Sequence, residues 1–400
     1  RKYRQGLRQR LTGYTAAERA RFATGQWIWV HAVSVGELQA ARPLLRQIKQ
    51  QYPQHSLLVT TVTLTGQTLA KTVAEIDACL YLPLDLYPLC RRMLAMVKPE
   101  ILLIMETELW PNLIRTAAAS SIPLFLINAR LSDTSFGRYL RARFLFRPLL
   151  QCLTAILAQS EKDADRFLQL GAEPSRIFSA GNIKFEVAPQ TLDPITRVTW
   201  RERFAIRESD LVLLGGSTFP GEEWILFRIV AALRNEGIPV RLILAPRHIE
   251  RADSLVSEFK KLGVAVLRRS ALPDSSAIAE EAVLLLDTIG ELRSVYAAAD
   301  LVFIGKSLCD KGGQNPIEPA AWGKPILFGE HMQNFRDIAA LFLEAQAAVC
   351  VENEMELLER CRAFCQSEAL RAQYGENARR VIERNRGALE RIMQVLREQY

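Results

Sequence analysis

Trp27-Ile-Trp-Val-His31-Ala-Val-Ser34-Val-Gly36-Glu37-Leu38, running on as QAARPLLRQIKQ to Gln50, holds two periodicities in one segment. Residues 27–30 form a short apolar run without alternation, the pattern of a strand buried on both faces. From Leu38 the apolar positions recur at helical spacing. Gly36, between the two, permits a tight turn or the close approach of a ligand. A buried strand leading through a short turn into an amphipathic helix is half of a β-α-β unit.

The rest of the chain repeats this half-unit. Apolar runs follow at 57–61, 101–104, 124–127, 155–157 and 177–179, separated by amphipathic stretches such as 67–77. Residues 188–200 carry two prolines and little periodicity, which predicts a linker. The rhythm restarts at 211–214, 241–244, 264–267, 283–286, 301–304 and 325–328, and from about 354 the pattern is helical. The expected architecture is α/β, with two doubly wound parallel-sheet domains over 1–187 and 201–375. A length of 400 residues agrees, being more than one core ordinarily serves.

Composition excludes several classes. At 49% hydrophobic and 24% charged the chain is globular, not disordered. No window reaches about 18 apolar residues without a charge, so no bilayer span is expected. Seven scattered cysteines include no C-x-x-C pair and read as free thiols in a reducing compartment. Four histidines lie far apart, so no metal site is expected. No G-x-G-x-x-G follows the first strand and no G-x-x-x-x-G-K-[ST] occurs, which removes the main support for a dinucleotide dehydrogenase or a P-loop enzyme.

Charge is uneven along the chain. Residues 1–190 hold 24 Lys and Arg against 14 Asp and Glu, a net of +10, and the remainder holds 27 against 30. A basic front half implies a large anionic partner, either nucleic acid or an anionic membrane surface. The chain opens with Arg1, Lys2, Arg4, Arg8 and Arg10, and residues 137–150 set Arg138, Arg141, Arg143 and Arg147 among Tyr139, Phe144 and Phe146. Such a basic amphipathic segment suits an anionic lipid surface. The plain alternative is a solvated helix packing its apolar side on the sheet. No nucleic-acid-binding module is recognisable, so no nucleic acid partner is expected.

Six short patterns fall at the carboxyl ends of predicted strands, where open α/β sheets bind ligands. Glu37 falls in a first helical turn, where the dipole favours a carboxylate; it reads either as helix-start chemistry or as a general base. Glu106 and Glu108 precede Trp110-Pro111, and packing alone explains this pair poorly. Lys184, in Gly181-Asn-Ile-Lys-Phe185, can meet an anion or stay solvated. Gly215-Gly-Ser-Thr218 can cradle an anion on its backbone amides or serve only as a tight turn. Arg247, in Ala245-Pro-Arg-His248, offers a guanidinium fork to a phosphate. Gly312-Gly-Gln-Asn-Pro-Ile-Glu-Pro-Ala320 runs a glycine pair into a helix start, with Asn315 as N-cap and Pro316 first in the helix. Free amides there would hold an anion, and Glu318 could accept hydrogen bonds from ribose hydroxyls. The anion sites collect in the back half and the carboxylates in the front. This assigns a phosphorylated donor to the back domain, and base and acceptor to the front one.

Taken in order, the motifs HAVSVGE (31–37), METELWPN (105–112), NARLSD (128–133), GNIKF (181–185), GGSTFPGEE (215–223), APRHIER (245–251), DTIGEL (287–292) and GGQNPIEPAAWGKP (312–325) resemble those of the bacterial Kdo (3-deoxy-D-manno-octulosonic acid) transferases of lipopolysaccharide assembly. They span nearly the whole chain. The resemblance implies glycosyltransferase-B architecture, with two Rossmann-like domains facing a cleft and a C-terminal helix over 376–400 returning to the first domain. It implies inverting, metal-independent transfer of Kdo from CMP-Kdo to the lipid A precursor (lipid IVA), with no cofactor. Glu37 would be the base, and Glu108 and Lys184 would stabilise the transition state. Pro246, Arg247, Ile289, Gly290, Glu291, Gly312, Gly313, Asn315, Pro316, Ile317 and Glu318 would bind CMP. Arg138, Arg141, Arg143, Phe144, Phe146 and Arg147 would face the acceptor and the membrane. The expected location is the cytoplasmic face of the inner membrane, peripheral in this form, with an apolar anchor expected upstream of Arg1. Two other readings stand beside it: a glycosyltransferase-B enzyme using a UDP-sugar, and a non-catalytic binder of anionic lipid surfaces.

Overall fold

Parallel strands buried on both faces account for the long apolar runs. A computed structural model describes residues 6–187, 193, 195–272 and 282–400. The chain divides into two units, one of Arg1–Glu186 with Asn385–Tyr400 and the other of Val187–Arg384. The first holds β1 (Gln26–His31), β2 (His55–Thr61), β3 (Ala78–Tyr81), β4 (Ile101–Met105), β5 (Leu124–Ala129), β6 (Ala155–Ala158) and β7 (Ile177–Ser179), in the order 3-2-1-4-5-6-7. The second holds β8 (Leu211–Thr218), β9 (Val240–Pro246), β10 (Val266–Arg268), β11 (Val283–Leu285), β12 (Leu301–Ile304), β13 (Ile326–Gly329) and β14 (Ala348–Val351), in the order 10-11-9-8-12-13-14. All pairs in both sheets are parallel.

In the first unit the strand period of two sorts the side chains. Ile28, Val30 and Leu103 enter one apolar layer, Trp29, Leu102 and Ile104 the other, and helices cover both. Each such buried aliphatic side chain contributes roughly 1.5–3 kcal/mol. Both sheets reverse direction at one point: the chain moves outward from β1 through β2 and β3 and returns beside β1 as β4, just as β8 is followed outward and flanked on return by β12. At each reversal the loops after neighbouring strands, β1 and β4 in one sheet and β8 and β12 in the other, lead away in opposite directions, the place where open α/β sheets bind ligands.

Helix Ala388–Gln399 inserts Ile392, Met393, Val395 and Leu396 into the layer with Leu38, Leu44 and Leu45 of helix Val35–Gln51. The expected returning segment of 376–400 is therefore shorter, since only Asn385–Tyr400 joins the first unit. Helix Glu368–Asn385 stays with the second unit because Gly375 rests on the Gly323 carbonyl, where any Cβ would collide. The linker is corrected too. Ile195–Arg203 is a helix, with Trp200 stacked on Phe204 and Arg201 buried against the Asp210 carbonyl and the Asp300 carboxylate. Of the segment read as linker, 188–192 and 194 lie outside the described residues. No helix among the described residues is long and apolar enough to cross a membrane.

Candidate active site

β1 ends at His31, and Ser34 caps helix Val35–Gln51 by accepting the Glu37 N–H. Glu37 thereby sits in the first turn, 8% exposed. Its Oε2 accepts the Val33 N–H at 2.7 Å and its Oε1 accepts the Ser34 hydroxyl at 3.1 Å. These bonds favour the anion, but burial, and after it the nearby Glu106, outweigh them and push the pKa up to about 7. A carboxyl group so placed is about half ionised at neutral pH and is a far better base than a surface glutamate.

Glu106 follows β4 with φ 55°, a left-handed backbone that costs a non-glycine residue free energy. Its carboxylate meets Lys184 Nζ at 2.9 Å and Arg130 Nε at 3.5 Å. Glu108 pairs with no cation among the described residues; burial and the Glu106 charge raise its pKa. The motif suggested Glu108 as the partner in function of Lys184, yet Glu106 is the carboxylate that touches the lysine. The left-handed turn at 106, which no residue type in the motif announces, re-aims the pair.

Lys184 is held by a chain of buried amides. Its N–H donates to Asn182 Oδ1 at 3.0 Å, Asn182 Nδ2 to Gln159 Oε1 at 2.9 Å, and Gln159 Nε2 to the Asn128 carbonyl at 2.8 Å. Asn128 Oδ1 closes the chain by accepting the Ile183 N–H at 3.0 Å. Buried amides bonded in series have few alternative arrangements, so they fix the short 3-10 turn Ile183–Val187 that carries the lysine. His31 is neutral, its pKa pushed down to about 4 by complete burial, and its Nδ1 lies 2.9 Å from Thr60 Oγ1.

In the second unit, Pro246 ends β9 and leaves Arg247 exposed. The Arg247 N–H donates to the Thr218 carbonyl at 3.0 Å, and its guanidinium has no partner among the described residues. Ile289 is 85% exposed and Gly290 takes φ 89°. The Glu291 carboxylate is already engaged by Arg269 at 3.1 Å and by the Thr288 hydroxyl. Gly312 and Gly313 have φ of 135° and 71°. Asn315 Oδ1 accepts the Ile317 N–H at 3.0 Å, opening helix Ile317–Ala321 behind Pro316. That helix is five residues long, so its dipole adds little to the free amides expected there. Glu318 is half-buried, and burial raises its pKa while Arg293 opposes. The expected Gly215-Gly216 cradle is corrected: both glycines lie inside β8, paired with β9 and β12, because a Cβ on Gly216 would collide with the Tyr296 hydroxyl.

The basic segment breaks at Ala142 into helices Asp133–Arg141 and Arg143–Leu150. Arg138, Arg141, Arg143 and Arg147 are exposed, and Phe144 is 75% exposed. Phe146 leaves the surface set, because it packs inward on Tyr139 with ring centroids 4.3 Å apart. Arg143 and Arg147 line an open cavity of about 370 Å³. Of the basic start, Arg1, Lys2 and Arg4 lie outside the described residues. Arg8 is spent on Glu18 at 3.1 Å, and Arg10 on the Tyr81 ring.

A family profile described as 3-deoxy-D-manno-octulosonic-acid transferase (kdotransferase) matches residues 5–187. The chain is 35% identical over 400 residues to the 3-deoxy-D-manno-octulosonic acid transferase of Haemophilus influenzae, covering 99% of this chain and 92% of that protein. The chain belongs to the Kdo transferase family. It is a glycosyltransferase, and its activity is Kdo transfer. The Bordetella pertussis enzyme of the same name is 32% identical over 381 residues, 93% of this chain and 87% of that one. Among solved structures, the S. aureus MnaA–UDP structure is similar at TM-score 0.51 and 14% identity, over 90% of this chain and 94% of that one. That likeness speaks for the glycosyltransferase-B type of fold alone.

Two transferase residues inside a quoted motif carry a role that sequence reasoning missed. Glu222, buried at the start of helix Glu222–Asn235, accepts four backbone N–H groups at 2.8–3.1 Å, from Phe219, Lys306, Ser307 and Leu308. Glu223, also buried, takes the Thr218 hydroxyl at 2.9 Å and Arg251 at 2.8 Å. The signal was the doubled acid after Phe219-Pro-Gly221, but nothing local says that three of the amides it binds lie more than eighty residues away.

Proposed function

We propose that this Kdo transferase takes CMP-Kdo as donor on its second unit and a phosphorylated lipid A precursor as acceptor, with Glu37 as base and without a metal ion. The observation that carries this is the Glu37 carboxyl group, buried at the switch point of the first sheet with a pKa pushed up to about 7. An acceptor sugar hydroxyl is a very weak acid, so its proton must leave as the new C–O bond forms. Glu37 takes that proton while the anomeric C–O bond to the CMP phosphate breaks on the opposite face, which inverts the centre. CMP departs with both bonding electrons and needs cationic contacts. Arg247, without a protein partner among the described residues, offers them. Lys184, balanced on Glu106, is poised to trade that carboxylate for the negative charge developing on the departing phosphate. CMP carries one phosphate, so protein cations suffice where a nucleoside diphosphate calls for more. The exposed Arg138, Arg141, Arg143 and Arg147, with Phe144, favour the anionic face of a membrane, and the cytoplasmic face of the inner membrane is where a nucleotide sugar would meet such an acceptor.

The test is transfer from CMP-Kdo to detergent-dispersed lipid A precursor, comparing wild type with Glu37→Gln, with CMP binding measured on both and a chelator arm included. A loss of turnover of about 10³-fold with CMP affinity intact is expected, and no effect of chelator. Full activity of the variant would sink the base assignment. Turnover with a UDP-sugar and none with CMP-Kdo would replace the donor.

A further inference from the structure

Lys306 lies outside every motif above, yet its surroundings single it out. It follows β12, the strand that returns beside β8 at the switch point of the second sheet. Its φ is 57°, a conformation that glycine adopts freely and that strains a lysine. Both backbone polar groups are fastened: the N–H donates to Glu222 Oε2 at 2.8 Å and the carbonyl accepts the Gly313 N–H at 2.7 Å. The half-buried side chain crosses the face of Phe219, with Nζ 4.7 Å from the ring centroid. No carboxylate pairs with it among the described residues. The same ring meets His248 edge-on at 5.5 Å, next to Arg247. Gly312 lies beside the lysine stem, where a Cβ would stand 3.4 Å from Lys306 Cε.

A partly desolvated ammonium without a counter-charge is costly, and cation–π contact recovers only part of that cost. Backbone strain adds to it. Two cations, Arg247 after β9 and Lys306 after β12, therefore flank the end of β8, each lacking an anion among the described residues. We infer that Lys306 is a donor-site residue whose ammonium binds an anionic group of the nucleotide sugar, its phosphate or its sugar carboxylate. This rests on the donor reading above. Phe219 holds the ammonium in place before the donor arrives, which reduces the ordering cost on binding.

The test uses Lys306→Gly, Lys306→Met and Lys306→Arg in the full chain. Lys306→Gly relieves the left-handed strain, so its melting temperature should hold or rise, while KM for CMP-Kdo rises about tenfold or more. KM for the acceptor should not move. Lys306→Met should lose the same donor affinity, and Lys306→Arg should recover part of it. Calorimetry with CMP alone locates the anion. If CMP affinity falls in parallel, the phosphate is bound; if it holds while KM for CMP-Kdo rises, the carboxylate is bound. An unchanged donor KM in Lys306→Gly overturns the inference. So does a lowered melting temperature with no recovery in the arginine variant, which would mark a structural lysine. A wild type that neither binds CMP nor turns over CMP-Kdo refutes the donor reading itself, and this inference with it.

Discussion

Glu37 and Glu222 occupy matching places in the two units. Each lies in the first turn of the helix after a central strand, each is buried, and burial raises the pKa of both. Their partners differ. Glu37 accepts one backbone N–H and one hydroxyl, which leaves lone pairs for a proton. Glu222 accepts four backbone N–H groups and has none to spare. The same topology thus holds the proposed base in one sheet and a clasp in the other. The number of accepted bonds, more than burial, separates chemistry from architecture. Net charge at the two edges follows the same division. The first gathers three glutamates with Lys184 and Arg130 on one of them, while the second ties Glu222, Glu223 and Glu291 to partners and leaves Arg247 and Lys306 without a carboxylate among the described residues.

The largest expected effect is on turnover: Glu37→Gln should lose about 10³-fold in kcat. Its stability should move the other way. The folded pKa of Glu37, about 7, lies above the unfolded value, so the carboxyl group favours folding at low pH and that contribution is lost as pH rises through 7. Glu37→Gln should therefore be roughly 2 kcal/mol more stable than wild type at pH 8, allowing for one lost hydrogen bond, with the gain fading toward pH 4.5. Denaturant titrations at the two pH values check it. The clasp should behave oppositely, with Glu222→Ala destabilising by about 3–5 kcal/mol at neutral pH because it strands four N–H groups at or near the protein interior. A mild cost there would break the comparison.

Smaller effects sharpen it. Asn182→Ala should lower kcat about tenfold with CMP affinity little changed, and cost about 1–3 kcal/mol of stability because it leaves Gln159 Oε1 and the Lys184 N–H unpaired, if the amide chain serves to aim Lys184. The smallest expected change is in a pH profile. In wild type kcat/KM should rise with pH through an apparent pKa near 7. Glu106→Gln removes a negative neighbour of Glu37, so that limb should move to lower pH. An unmoved limb would detach Glu106 from the electrostatics of the base.

The β-α rhythm was legible because strands buried on both faces leave unbroken apolar runs, as at 27–30 and 101–104. Glu37 was legible because its offset from a strand and from Ser34 is local. What escaped depends on backbone handedness or on distant partners. Nothing in the letters Glu106 or Lys306 announces a positive φ, and nothing near Glu222 names the loop it clasps. Gly215 and Gly216 were misread because glycine marks a close approach inside a strand as readily as a turn. Phe146 was misread because one aromatic among arginines looks like another until the helix breaks at Ala142.

The helix at 388–399 has a consequence for the order in which the protein becomes itself. A ribosome delivers the strands of the first sheet while the helix that closes one of their faces is still some two hundred codons away. At about 5–20 residues per second the wait is roughly 10–40 s. Through that interval the face destined for Ile392, Met393 and Leu396 is bare. The second unit, whose chain is continuous, meets no such delay. The first unit is thus the earlier of the two to be made and the last to be finished, and a chain ending before Asn385 would yield a complete second unit and an uncovered first one.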